Sequence, residues 1–167
     1  MSLLIMLTLF CCTHTAKKVP LNYVLLMVFT VSESFLLAMI CSFYTALSVL
    51  FAAGLTVGIT IALTAYAFYT KHDYTVYGGA LTVICFAIML LVLSQMLFTF
   101  PAWWHPFLSA LLVIVYGFYL IFDTQLIAGK GQYALSYDDY IIGALIIYVD
   151  IIGLFIELLK LFGTIDS

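Results

Sequence analysis

Two carboxylates stand alone in apolar surroundings: Asp123, in Tyr119-Leu-Ile-Phe-Asp123-Thr-Gln125, and Asp150, in Tyr148-Val-Asp150-Ile-Ile-Gly153. A carboxylate at bilayer depth costs roughly 2.5–3.5 kcal/mol on insertion scales, so two in succession mark a candidate functional site. Two anions about 4 Å apart repel by about 4 kcal/mol at an effective dielectric of about 20. Such a pair holds one proton between its members and titrates as a unit rather than residue by residue. The shared proton clamps two helices. Its loss leaves repulsion, or a place for a divalent cation such as Ca²⁺, which prefers carboxylate and carbonyl oxygens. A pH-sensitive gate or cation site follows if the two side chains meet.

The rest of the chain says where they would meet. Of 167 residues, 66% are hydrophobic and 8% charged. Soluble domains run about 45–50% apolar and about 25% charged, so this is an integral membrane protein whose first partner is the lipid bilayer. All five basic residues are lysines, and a net charge of −3 gives no footprint for nucleic acid. Cys11 and Cys12 are adjacent, Cys41 and Cys85 lie inside apolar runs, and His14, His72 and His105 are not spaced as metal partners. The cysteines read as small apolar packers, and no resident cofactor is expected. Ca²⁺ is expected only as a permeant or bound ion, at Asp123 and Asp150.

A spanning helix needs about 20 mostly apolar residues. Five stretches qualify, near Leu21–Tyr44, Leu47–Thr70, Tyr77–Phe100, Pro106–Ile127 and Tyr140–Phe162. A sixth, Ser2–Thr13, is too short to cross unaided. It lacks the basic start and small-residue cleavage site of a signal peptide, and reads as a short helix completed by neighbours. The expected fold is an all-α polytopic bundle: five full transmembrane helices and one short N-terminal helix, in a single transmembrane domain over residues 1–167.

Lys17-Lys18, Lys71 and Lys130 fall in alternate connections and so on one face, taken as cytoplasmic or its equivalent; Lys160 is the exception. Trp103-Trp104 fits the headgroup level of the other face, where an indole keeps its N–H wet. Asp123 comes late in its helix, whereas Asp150 is ten residues into the next, about 15 Å at 1.5 Å per residue. Bringing them together requires tilt or an offset between the two helices.

Helical spacing gathers the unusual residues. Gly143, Asp150 and Glu157 are seven apart on the last span, with Gly153 between them, and Ser109, Leu112, Tyr116, Tyr119 and Asp123 share a face of the span before. Ser32-Glu33-Ser34 places a third acid inside the first long span. Gly54-Leu-Thr-Val-Gly58 is a Gly-x-x-x-Gly that allows backbones to approach closely. Glu157 and Lys160, three apart, read as a local ion pair. The expected ion-pathway and pH-sensing residues are Asp123, Asp150 and Glu33; the expected helix-packing residues are Gly54, Gly58, Gly143 and Gly153.

At Phe122-Asp-Thr-Gln-Leu126, Leu135-Ser-Tyr-Asp-Asp-Tyr-Ile-Ile-Gly-Ala144 and Leu145-Ile-Ile-Tyr-Val-Asp-Ile-Ile-Gly-Leu-Phe155, the chain resembles the transmembrane Bax-inhibitor-motif family of lifeguard and Golgi anti-apoptotic proteins. That family shows Tyr-Asp-Thr-Gln, then Leu-Ser-Pro-Glu-Glu-Tyr, then Leu-Tyr-Leu-Asp-Ile-Ile-Asn-Leu-Phe. Asn22-Tyr through Ser42-Phe-Tyr44 and Thr70-Lys-His-Asp-Tyr74 also look like its middle portion, so the resemblance covers roughly residues 20–163. It implies a seven-helix fold around a central helix, and a calcium-permeable, pH-sensitive leak in internal membranes that suppresses cell death. The paired aspartates of the family map onto Asp123 and Asp150, and an acidic residue of its third helix maps onto Glu33. The family's first helix has no counterpart here, half of the second corresponds to Ser2–Thr13, and no basic residue precedes Lys17 to match the Arg that some members set against the aspartates. Gly153 stands where Asn is usual, and Tyr137-Asp138 where Pro-Glu is.

The expected function is therefore a pH-sensitive calcium or cation leak, a calcium-homeostasis and cell-death regulator of the endomembranes (endoplasmic reticulum or Golgi) by resemblance. The alternative is a non-conducting structural subunit of a larger membrane complex, in which other membrane subunits replace the missing N-terminal helices; a mitochondrial inner-membrane complex would suit it. No enzymatic activity is expected: intramembrane aspartyl proteases resemble one another in a Gly-x-Gly-Asp run, and Ile147-Tyr-Val-Asp150 lacks both glycines.

Overall fold

The structure, a computed structural model, describes residues 19–129, 135–136 and 139–166, apart from the Met96 side chain. The short helix expected at Ser2–Thr13, along with Lys17, Lys18, Lys130 and Tyr137-Asp138, lies outside the described residues. Among the described residues the bundle has five α-helices, α1 (Leu21–Cys41), α2 (Ala46–Tyr69), α3 (Gly78–Leu97), α4 (Trp104–Ile127) and α5 (Tyr140–Phe162), and a 3-10 turn, Tyr74–Tyr77, leads into α3. Each of the five is long and apolar enough to cross a membrane. Where water is absent every backbone polar group must be paired within its own segment, and a long apolar run satisfies this as a helix. The chain is a multi-pass membrane protein.

Several hydroxyls on these helices follow the same rule. Ser32, Ser34, Thr56 and Thr124 each donate to the carbonyl four residues back, on Val28, Thr30, Ala52 and Leu120. The serines flanking Glu33 are therefore turned onto α1 itself.

α4 and α5 form the antiparallel centre and hold most of the buried residues. α2 packs against both: Ala52 joins Leu154, Phe155, Leu158 and Leu159 in the larger core cluster. The first half of α1 meets a different face of α5, where Phe29 packs on Leu145 and stands edge-on to Tyr148, while Leu37, Ile40 and Cys41 at its far end pack against the larger cluster. α3 is held to α4 at one end. Tyr119 donates to the Leu81 carbonyl at 2.7 Å, and Gly78 lies against Phe122 closely enough that a Cβ there would come within 3.3 Å of the ring.

α1 ends at Cys41 rather than near Tyr44, although the apolar run continues. Phe43 and Tyr44 instead form a turn held by the chain's last described residues. Thr45 N–H donates to the Thr164 carbonyl, Asp166 N–H to the Phe43 carbonyl, and Thr164 N–H to Ser48 Oγ. This clasp, the turn before Trp104 and the end of α5 share one face of the bundle. The turn at Lys71 and the α4–α5 connection share the other. Trp104 departs from its expected environment: its ring stacks on Phe100 and its Nε1 is buried without a partner among the described residues, leaving Trp103 as the exposed indole.

Candidate functional site

The α4–α5 seam brings Asp123 and Asp150 together. Their carboxyl groups lie within interaction range of each other, and both residues are buried, at 8% and 7% exposure. The offset between the helices resolves the difference in depth. Gly143, one turn into α5, lies against Ile127, the last residue of α4, where an added Cβ would be 3.3 Å from Ile127 Cγ1. α5 therefore starts outside the end of α4: from this contact Asp150 lies about 10.5 Å down α5 and Asp123 about 6 Å down α4, and side chains that lean toward the N-terminus of their own helix close the remaining turn. Asp150 Oδ2 has no hydrogen-bond partner among the described residues, so one oxygen of the pair is buried and unsatisfied.

Gln125, two residues after Asp123, fastens the neighbouring turn. Its Nε2 donates to the carbonyls of His72 (3.0 Å) and Ala67 (3.3 Å), and its Oε1 accepts from Tyr74 N–H at 2.8 Å. In Asp-Thr-Gln the three polar residues thus have separate tasks: Asp123 faces the seam, Thr124 bonds its own helix, and Gln125 pins the α2–α3 connection.

Below the pair the seam closes on an aromatic ring. Tyr116 lies across α5 at Gly153, and a Cβ built on Gly153 would collide with ring atoms Cε1 and Cζ and stand 2.8 Å from Oη. A cavity of about 690 Å³ opens beneath Tyr116 toward the face that carries the C-terminal clasp, with Gln95, His105, Ser109, Glu157 and Lys160 in its wall. From His105 to Tyr116 is three helical turns, about 16 Å, so it runs roughly halfway through the bundle. At the opposite end a second cavity of about 480 Å³ is bounded by Ile127, Gly129, Ser136, Asp139 and Gly143. The aspartate pair lies between the two.

The other expected site residues separate into those at the seam and those away from it. Gly143 and Gly153 are points of close helix approach. Gly54 and Gly58 are not: a Cβ at either would meet nothing within 4 Å among the described residues, because they lie on the outward face of α2 while Ala52 and Thr56 face the core. Glu33 is half-buried, one turn beyond Phe29 on the face of α1 that meets the Leu145 side of α5. The structure does not bring it to the acidic stripe, and the groups acting on Asp123 and Asp150 do not include it. Glu157 and Lys160 form the expected local ion pair at 2.7 Å. Sequence reasoning missed the tasks of Gln125 and Tyr116. An amide buried in an apolar helix was the available signal for the first; for the second there was only its place on the acidic face.

With this geometry in hand, comparison with known proteins is decisive. A family model described as "Inhibitor of apoptosis-promoting Bax1" (Bax1-I) matches residues 1–167. The chain belongs to the Bax1-I family. It is 36% identical over 163 residues to protein lifeguard 3 of Mus musculus, covering 96% of this chain and 53% of that one. It is 36% identical over 160 residues to protein lifeguard 3 of Homo sapiens, covering 94% and 51%. Protein LIFEGUARD 2 of Arabidopsis thaliana is 32% identical over 154 residues, covering 90% and 63%. The chain thus spans about half the length of the lifeguard 3 relatives it matches. The Bax1-I pattern, on the resemblance noted above, carries Asn where this chain has Gly153, the residue whose missing side chain leaves room for the Tyr116 ring.

Proposed function

We propose that this Bax1-I family membrane protein is a pH-sensitive cation leak, with Ca²⁺ the principal ion, acting in calcium homeostasis and the cell-death control that the family description names. The observation that carries the reading is the buried, closely apposed pair Asp123–Asp150 between two cavities that approach it from opposite ends of the α4–α5 seam. With one proton between them the carboxyls tie α4 to α5. With none they repel, and the space between them becomes a place for a divalent cation. An ion crossing here needs sites that bind weakly enough to release it, and two carboxylates without a closed cage meet that need. Endomembrane residence follows from the family likeness and is part of the same proposal.

The test is Ca²⁺ entry into liposomes carrying the purified chain, across a pH series, for the parent and Asp150→Asn. The reading expects flux that rises with pH in the parent and a flat profile in the variant; identical profiles would reject it.

A second reading, a non-conducting subunit of a larger assembly, draws on the outward Gly54 and Gly58, where another helix could approach closely. It expects co-purification with partners at fixed stoichiometry after mild solubilisation. A folded, monodisperse chain on its own counts against it.

A further inference from the structure

Tyr116 is held in the seam by shape alone. Its ring occupies the volume that any Cβ on Gly153 would need, so the contact exists only against bare backbone. Tyr119, three residues on, is fastened by its hydrogen bond to the Leu81 carbonyl. Among the described residues the Tyr116 hydroxyl has no such bond; Glu157 and Asp150 lie within electrostatic range of it, Glu157 in the cavity wall and Asp150 on the far side of Gly153. A long side chain in a helix has two open χ1 rotamers, and both lean toward the helix N-terminus. For α4 that is the Trp104 end, where the cavity lies. A rotamer change therefore keeps the ring on the cavity side, where about 690 Å³ is open to it.

We propose that Tyr116 is the movable barrier of the seam: seated on Gly153, its ring separates the larger cavity from the Asp123–Asp150 pair, and its swing into the cavity joins the two into one path from the face of the C-terminal clasp. The proposal rests on the cation-leak reading and names the residue that limits passage from that face. The swing exchanges contact with Gly153 for a place in the cavity and breaks no hydrogen bond among the described residues. Because the barrier needs both the ring and a bare backbone, it is lost in two unlike ways. Tyr116→Ala removes the ring; Gly153→Ala supplies a Cβ that keeps the ring out of its seat.

The experiment measures access rather than flux. The whole chain, with Cys11, Cys12, Cys41 and Cys85 replaced by Ala and Asp150→Cys added, is prepared in sealed membrane vesicles of both orientations. A membrane-impermeant cationic thiol reagent, methanethiosulfonate ethyltrimethylammonium, is applied outside, and mass spectrometry gives the modification rate. Ser109→Cys, in the cavity wall, identifies the clasp face. Leu154→Cys, buried next to Gly153 in the larger core cluster, reports any general loosening. From the clasp face Asp150→Cys is expected to react slowly. A swung ring populated at about 0.1–10% admits the reagent only for that fraction of the time, so Tyr116→Ala and Gly153→Ala should each raise the rate at least about tenfold. From the other face neither should change it. Rates that ignore both substitutions overturn the barrier, and so does a rise from both faces or at Leu154→Cys. If Ca²⁺ flux in liposomes depends on Asp150 while access ignores the ring, the barrier fails and the leak stands. If the access series holds while the chain with its aspartates intact carries no flux at any pH, the leak fails and the barrier stands.

Discussion

Tyr116 packs against the backbone of α5 at Gly153, its ring in the volume that a side chain there would occupy. The larger cavity ends at this ring and the aspartate pair begins one turn of α5 beyond it. An aromatic side chain on a glycine forms a barrier that a rotamer change removes, whereas one wedged between bulky neighbours does not move alone.

Gly153→Ala forces Tyr116 out of this position. The cost is expected at about 1–3 kcal/mol, the usual range for overpacking a filled site. Tyr116→Ala in the same chain removes the collision, so the double variant is expected to recover part of the stability lost by Gly153→Ala alone. Thermal unfolding in detergent of the two single variants and the double reads this directly. Strict additivity would mean the ring and the glycine do not meet.

The aspartate pair sets the sign of the pH response. At low pH the shared proton joins α4 to α5; as pH rises the proton leaves and repulsion favours the open seam. Flux is therefore expected to rise with pH. Asn at either position hydrogen-bonds the remaining carboxylate without a titrating proton, so Asp123→Asn and Asp150→Asn should each flatten the profile, and the double variant should add little. A double variant whose effect is the sum of the singles would show that the two acids act separately.

Gln125 is the only link among the described hydrogen bonds from Asp-Thr-Gln to the turn before α3. Gln125→Leu keeps the apolar volume but orphans the Tyr74 N–H and two carbonyls. A loss of about 1–3 kcal/mol is expected, the penalty for a buried polar group left unpaired. Hydrogen exchange should quicken at Tyr74 and Thr75 while α5 amides hold their protection. Unchanged exchange at Tyr74 would show that the turn is held by something else.

The spans were legible because a long apolar run in lipid has one solution, the helix. The aspartate pair was legible because a carboxylate in such a run demands a reason. The end of α1 was not: Phe43 and Tyr44 are as apolar as the helix before them, and only the clasp with Thr164 and Asp166 turns them out of it. The glycines divide on the same ground. Gly-x-x-x-Gly spacing is a property of one helix, whereas close approach is a property of two; Gly143 and Gly153 have a partner, and Gly54 and Gly58 meet none among the described residues. Glu33 failed to join the pair for a like reason, since its helix meets a different face of α5. Gln125 acts on residues more than fifty positions away, a relation that no local pattern carries.

The outward glycines supply the last prediction, one that also separates the two readings of function. A Cβ at Gly54 or Gly58 meets open space among the described residues, and Ala is the better helix former. For a chain that contacts only lipid there, Gly54→Ala and Gly58→Ala should leave the unfolding midpoint and the Ca²⁺ flux within error of the parent, a change under about 0.5 kcal/mol. For a chain that docks another helix on α2, larger residues at these positions hold the backbones apart, and Gly54→Leu with Gly58→Leu should abolish co-purification of the partner while the isolated chain still folds. The leak reading expects the first result, with no partner to lose. Retained folding and flux together with a lost partner would mean that the chain conducts inside an assembly, and a fall in stability of the isolated chain would place a helix of its own against α2.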